Sequence, residues 1–187
     1  HTRLRCDWSS DVCRLLIWSA EAKAVLAKVK EFEKEGYSYE AAGGSLELLI
    51  RRETGQYEKR WILREYHCSF RQYRDGHNPV CEATVKMEVG GVSQYTAAEG
   101  HGVVNALDKA LRRALMPCYP EIEEVSLIDY KVRIVDGHAA TASKTRVQIV
   151  HKDDERTWGT VGVSDSIIEA SWIALTEGID LFLQRMK

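Results

Sequence analysis

Residues Thr96 to Leu111 run from a strand end through Gly100, His101 and Gly102 into an amphipathic helical pattern, and a degenerate copy runs from Thr160 through Ser164 to Leu175. Ala106 and Ala170, Ala110 and Ala174, and Leu111 and Leu175 keep a constant spacing of 64 residues (106 to 170). A strand-to-helix junction occurring twice implies two similar modules related by a pseudo-twofold, with a natural ligand site where they meet.

The strands that feed each junction follow from period-two patterns. In the first module Ile62, Tyr66, Cys68 and Phe70 precede the alternating run Ala83, Val85, Met87, Val89; Gly90-Gly91 then turns the chain into a strand around Ser93 to Ala98. A helix carrying Val104, Leu107, Leu111 and Leu115 follows, and Pro117 terminates it. In the second module Ile128, Tyr130, Val132 and Ile134 alternate with Lys131 and Arg133, and Asp136-Gly137 closes that strand. Thr145, Val147 and Ile149 continue, Lys152-Asp153-Asp154-Glu155 forms a solvated hairpin tip, and Thr157 to Val163 returns. Ser164, Asp165 and Ser166 are good N-cap types for a last helix with Ile168, Trp172, Leu175, Ile179 and Phe182 as its stripe. One such unit is too small to be stable alone, so the two pack together, and the same logic extends to a homodimer. The expected fold is therefore α+β: two βββα units over residues 57–187.

A helical linker subdomain is expected over 21–56. Val25, Val29 and Phe32 have helical spacing and Gly36 stops that helix; a second helix with Leu46, Leu49 and Ile50 on one face ends near Arg52. Gly43 and Gly44 fall inside it, each costing about 1 kcal/mol against alanine. These two helices read as an appendage. Residues 1–20 read as an unrelated leader, because the run from Arg5 to Cys13 resembles translated sequencing-adapter text. A chain of 187 residues that starts at His1 rather than methionine reads as a fragment or processed product.

Composition narrows the function classes. A net charge of −2, with signs mixed along the chain, offers no basic field for nucleic acid or an anionic membrane. Neither helix start carries a lysine or arginine, which excludes the phosphate grip of a double-stranded RNA-binding module. No apolar run is long enough to span a bilayer, and five irregularly spaced cysteines fit a reducing cytoplasm. His67 and Cys68 fall on opposite strand faces, so they do not form a metal site with Cys81. No nucleophile and base pair stands out, and no catalytic residue is assigned. Gly100-His101-Gly102 either serves turn geometry and packing or lets the helix start meet an anion such as a carboxylate. Tyr130 either fills the core or supplies a hydroxyl to a small aliphatic pocket.

The segments Gly100 to Leu115, Leu127 to Gly137 and Arg156 to Leu175 closely resemble the C-terminal regulatory domain of the alpha-isopropylmalate synthase and (R)-citramalate synthase family, and Glu35 to Arg52 resembles the helical linker before it. The likeness runs from about Ala24 to the C-terminus and is greatest to the citramalate synthase branch. It implies a dimeric regulatory domain that binds a branched-chain amino acid as feedback inhibitor: isoleucine for a citramalate synthase, leucine for an isopropylmalate synthase. The parent would condense acetyl-CoA with a 2-oxo acid, with its divalent metal on a catalytic barrel outside this chain. This segment would need no cofactor and would be inactive alone. The resemblance places Gly100, Gly102 and Val104 in an effector-sensitive loop and helix start, and Leu127, Tyr130, Ile134 and Ile167 at pocket positions. The family commonly has asparagine and proline where this chain has His101 and Val103, and other residues at Gly43-Gly44. A dimerisation module without an effector is the alternative.

Overall fold

The computed structural model describes residues 20–74, 78–135 and 143–186. Apart from Ala20, the expected leader lies outside the described residues, as does the Asp136-Gly137 turn. Two helices, α1 (Ala20–Glu35) and α2 (Gly43–Glu53), lead into β1 (Trp61–Arg71), β2 (Val80–Val89), β3 (Val92–Gly100) and α3 (Val103–Leu115). A 3₁₀ turn over Pro120–Glu124 then precedes β4 (Ser126–Ile134), β5 (Thr145–Lys152), β6 (Thr157–Ser164) and α4 (Ile167–Arg185). The sheets are antiparallel, ordered β1-β2-β3 and β4-β5-β6. The expected α+β pair of βββα units is therefore present.

The hairpin tips follow their residues. Gly90 and Gly91 have φ of +57° and +78°, the left-handed pair that a two-residue hairpin turn requires and that glycine adopts without a steric penalty. In the second hairpin the Asp153 carboxylate accepts from the amides of Glu155 and Arg156 at 2.8 and 2.6 Å, fastening a longer tip.

The repeat extends to features that alternation does not disclose. Each outer strand contains a bulge, between Leu63 and Glu65 in β1 and between Leu127 and Asp129 in β4. The extra residues are Arg64 and Ile128, again 64 apart. Plain alternation puts Leu127 and Tyr130 on opposite faces and Ile128 with Tyr130. The bulge turns Ile128 outward and sets Leu127 opposite His151 and Tyr130 opposite Ile149, both core positions, so that Leu127 and Tyr130 share the inner face.

Each helix lies close against the last strand of its sheet. The Thr96 hydroxyl donates to the Ala110 carbonyl at 2.7 Å, and the Thr160 hydroxyl donates to the Ala174 carbonyl at 2.6 Å. Ala106, Ala110, Ala170 and Ala174 are fully buried at these contacts. At Gly162 there is no room for a Cβ against the Ala170 carbonyl. α3 buries one face, formed by Ala106, Leu107, Ala110, Leu111, Ala114 and Leu115. Val104 sits outside that face and is only partly buried.

α4 is buried on most sides because α2 covers the face turned away from the sheet. α2 is thus packed into the second unit rather than standing off as an appendage, and its Leu48 joins the common core. Its buried positions are Gly44, Ser45, Glu47, Leu48 and Leu49; of the expected Leu46, Leu49 and Ile50 face, Leu49 is buried while Leu46 and Ile50 are only partly so. Gly43 opens the helix and faces open space, whereas a Cβ on Gly44 would lie 2.7 Å from the Gly159 carbonyl, so Gly44 lets helix and strand approach. Trp172 of α4 stacks on Tyr66 of β1 at 4.9 Å, joining the two units.

His151 in β5 is completely buried, stacked on Trp158 and pressed against Gly178. Its Nε2 lies 3.2 Å from the Thr160 hydroxyl, which already donates to Ala174, so Nε2 carries the proton and donates. Burial lowers its pKa to about 4, with the nearby Arg112 charge acting the same way against the Ala174 backbone. The unfolded chain therefore takes up this proton more readily, and the contribution to stability present above about pH 6.5 is lost as pH falls towards 4. NMR should find the His151 ring titrating near pH 4. Relative to His151→Gln, whose comparison removes the opposing effect of other buried acids, the chain should lose up to about 3 kcal/mol across that window in thermal melts.

Candidate functional site

The two helix starts differ in what they do with their free amides. The first intrahelical bond of α3 runs from the Ala106 amide to the Gly102 carbonyl at 2.9 Å, so the amides of Val103, Val104 and Asn105 precede any helical acceptor. Gly102 provides no capping side chain, while the Asn105 side chain turns back to accept from the His101 amide at 3.3 Å. At α4 the chain caps itself. The Ser166 hydroxyl accepts from the Glu169 amide, and the Ser164 hydroxyl donates to the Glu169 carboxylate at 2.6 Å while accepting from the Ser166 amide. Of the two repeated helix starts, that of α3 is the one without a side-chain cap, and it presents its positive end uncapped. Proline suits the first helical position but lacks an N–H, so Val103 adds a donor there.

A cleft of about 440 Å³ lies between this helix start and the beginning of β4. Val104, Asn105, Asp108 and Arg112 form the helix side; Leu127 and Tyr130, brought to one face by the bulge, form the strand side together with Val125 and Ser126. The Tyr130 ring lines the cleft and its hydroxyl lies 2.8 Å from the Ser171 hydroxyl of α4, which donates to the Ile167 carbonyl. Of the expected site residues, Val104, Leu127 and Tyr130 meet here, with Gly102 capping the helix at its edge. Ile134 does not: it ends β4, roughly 23 Å along the strand from Leu127, and is 67% exposed. Ile167, in the first turn of α4, is 47% exposed and also outside the lining. Gly100 belongs to the packing, since a Cβ on it would lie 2.5 Å from the Ala106 amide nitrogen, whereas Gly102 faces open space.

A family model described as the LeuA allosteric (dimerisation) domain matches residues 40–183. The chain belongs to this family. It is 50% identical over 161 residues to an (R)-citramalate synthase of Aquifex aeolicus and 43% identical over 161 residues to one of Geobacter sulfurreducens, covering 86% of this chain and 30% of each relative. To the 2-isopropylmalate synthase of Aquifex aeolicus it is 29% identical over 168 residues, covering 88% of this chain and 29% of the relative. The chain thus spans about 30% of the length of these relatives.

Within this LeuA-type domain the pseudo-twofold generates a second cleft, of about 330 Å³. Trp61, Leu63, Trp172 and Thr176 line it at the positions of Val125, Leu127, Asp108 and Arg112. Its remaining polar groups come from α2 and the loop after it, which the repeat does not duplicate, and from the later turns of α4. Arg52 of α2 pairs with Glu177 at 3.0 Å and lies 3.6 Å from Asp180; Tyr57 donates to Asp180 at 2.9 Å, and the Ser45 hydroxyl donates to Glu177. Burial raises the pKa of Glu177 and of Asp180 even though Arg52 and these hydroxyl donors oppose it. The Tyr57 hydroxyl, itself buried and beside Asp180, is pushed up to about 12. Glu47 goes the other way: burial opposes its ionisation, but Arg185 and Arg51 hold its pKa below the usual carboxylate range. No periodic pattern marked this network, because its members come from α2, the following loop and the outward face of α4.

The helices cover β2, β3, β5 and β6 and leave apolar side chains of β1 and β4 at the surface. Phe70 in β1 is 60% exposed, and Ile134 in β4 and Val132 beside it are also exposed. Among the described residues no helix is long and apolar enough to cross a membrane.

The two glycines of the loop should separate in mutagenesis. Gly102→Ala is expected to change stability by less than about 0.5 kcal/mol, and Gly100→Ala to lower it by about 1–3 kcal/mol because the α3 backbone must shift. Chemical denaturation monitored by circular dichroism distinguishes them.

Proposed function

We propose that this chain is the regulatory segment of an acetyl-CoA-dependent condensing enzyme of the (R)-citramalate synthase type, and that its α3–β4 cleft binds isoleucine as a feedback inhibitor. The observation that carries the proposal is the convergence of an uncapped helix start with Val104, Leu127 and Tyr130 in one cleft, in a chain of a family described as allosteric. The effector carboxylate meets the α3 amides and its aliphatic chain lies against Val104, Leu127 and the Tyr130 ring. Identity of 50% to a citramalate synthase against 29% to an isopropylmalate synthase of one organism favours isoleucine over leucine.

In this reading the parent joins acetyl-CoA to pyruvate in the cytoplasm for isoleucine biosynthesis. Its metal, acetyl-CoA and 2-oxo acid sites lie on a catalytic barrel elsewhere in the parent, and the segment alone is inert. Two copies associate through the exposed apolar side chains of β1 and β4, a surface that supports the dimerisation in the family description. Binding shifts the dimer and linker between two arrangements with a coupling free energy of about 1–3 kcal/mol.

The second reading, a dimerisation module without an effector, is motivated by His101 and Val103, which depart from the asparagine and proline common in the family's loop. Isothermal titration with isoleucine and leucine decides between them. Heat saturating at or below millimolar ligand is expected, with isoleucine the tighter, and Tyr130→Ala should weaken it at least about tenfold by removing most of the apolar wall. No heat with either amino acid, in a chain that still dimerises with concentration, selects the structural reading.

A further inference from the structure

We propose that Asp108 makes the α3–β4 cleft selective for an α-ammonium group, so that the domain distinguishes a branched-chain amino acid from the 2-oxo acid bearing the same side chain. This rests on the effector reading above and adds to it the group that sets the charge form of the ligand.

Asp108 is the only acidic residue among those lining the cleft, and it is partly buried there. Its Oδ1 accepts from Arg112 Nε at 2.9 Å, and Arg112 Nη1 donates to the Ile122 carbonyl at 2.7 Å. Arg112 is thus a positioning residue, held at both ends, and Asp108 Oδ2 makes no hydrogen bond among the described residues. Positions 104 and 108 are about 6 Å apart along the helix, and helical side chains lean towards the N-terminus. The Oδ2 acceptor therefore stands within one α-carbon's reach of a carboxylate seated on the first-turn amides.

An ammonium at that point completes a charge-assisted hydrogen bond. The carbonyl oxygen of a 2-oxo acid would instead set an acceptor against a carboxylate, and a site built around a donor rejects an analogue lacking it far more strongly than it resolves a methylene. The second cleft supplies the contrast: the position equivalent to Asp108 is Trp172, stacked on Tyr66, and the position equivalent to Arg112 is Thr176. The charged pair accompanies the uncapped helix start and is absent from the half that caps itself.

Isothermal titration of the chain with isoleucine and with 3-methyl-2-oxopentanoate tests the assignment. The unmodified chain should bind isoleucine at least about 30-fold more tightly. Asp108→Asn should weaken isoleucine about tenfold or more without weakening the oxo acid, collapsing the discrimination, and Arg112→Gln should narrow it in the same direction. Equal affinity for the two ligands in the unmodified chain, a comparison that needs no variant, overturns the proposal. So does isoleucine binding that is sensitive to Tyr130→Ala but unchanged in Asp108→Asn, an outcome that leaves the effector reading standing. Absence of binding by isoleucine and leucine alike overturns both.

Discussion

The close seating of each helix on the last strand of its sheet governs the rest of the molecule. Alanines at 106, 110, 170 and 174 and the glycine at 162 bring backbone near backbone, and the hydroxyls of Thr96 and Thr160 donate to helix carbonyls across the gap. Larger residues would lift the helices towards the middle of three strands. Seated low over β2–β3 and β5–β6, they leave the inner faces of β1 and β4 incompletely covered. The clefts and the exposed apolar side chains of the outer strands are both consequences of that seating, so the packing that holds each unit together also creates the surfaces available for binding.

The duplication has diverged in a direction that physical chemistry can follow. In the second half Ser164, Ser166 and Glu169 cap the start of α4, Trp172 occupies the position of Asp108, and α2 covers the outward face of α4 through the Arg52, Glu177 and Asp180 network. The first half keeps an uncapped helix start and a cleft with one fixed carboxylate. The raised pKa values of Glu177 and Asp180 belong to the cost of burying that junction, which Arg52 and the hydroxyl donors from Ser45 and Tyr57 offset only in part.

Much of the fold was legible because strand alternation, paired glycines and hydroxyl caps are local signals: the order of strands, both hairpin tips, the end of α1 at Gly36 and the cap at Ser166 all agree with the residues that specify them. The site was legible in part. Val104, Leu127 and Tyr130 converge as expected, but Ile134 shares a strand face with Tyr130 while standing too far along it, and periodicity reports face without reporting distance. Ile167 lies in the first turn of a helix whose start is closed. The two glycines of the loop proved unlike each other, because one touches α3 and the other touches nothing, a difference that depends on a neighbour rather than on sequence.

By itself, then, the amino-acid sequence determined the two βββα units, their pseudo-twofold and the contrast between a glycine-rich and a serine-rich helix start, since each depends on residues near one another in the chain. Only the tertiary structure decided that β-bulges at Arg64 and Ile128 reset which side chains face inward, that α2 is a wall of the second unit, and that Asp108 and Arg112 line the cleft between α3 and β4. Those outcomes depend on cross-strand register and on close contacts between segments more than a hundred residues apart, where steric fit and the satisfaction of buried polar groups act without leaving a periodic trace.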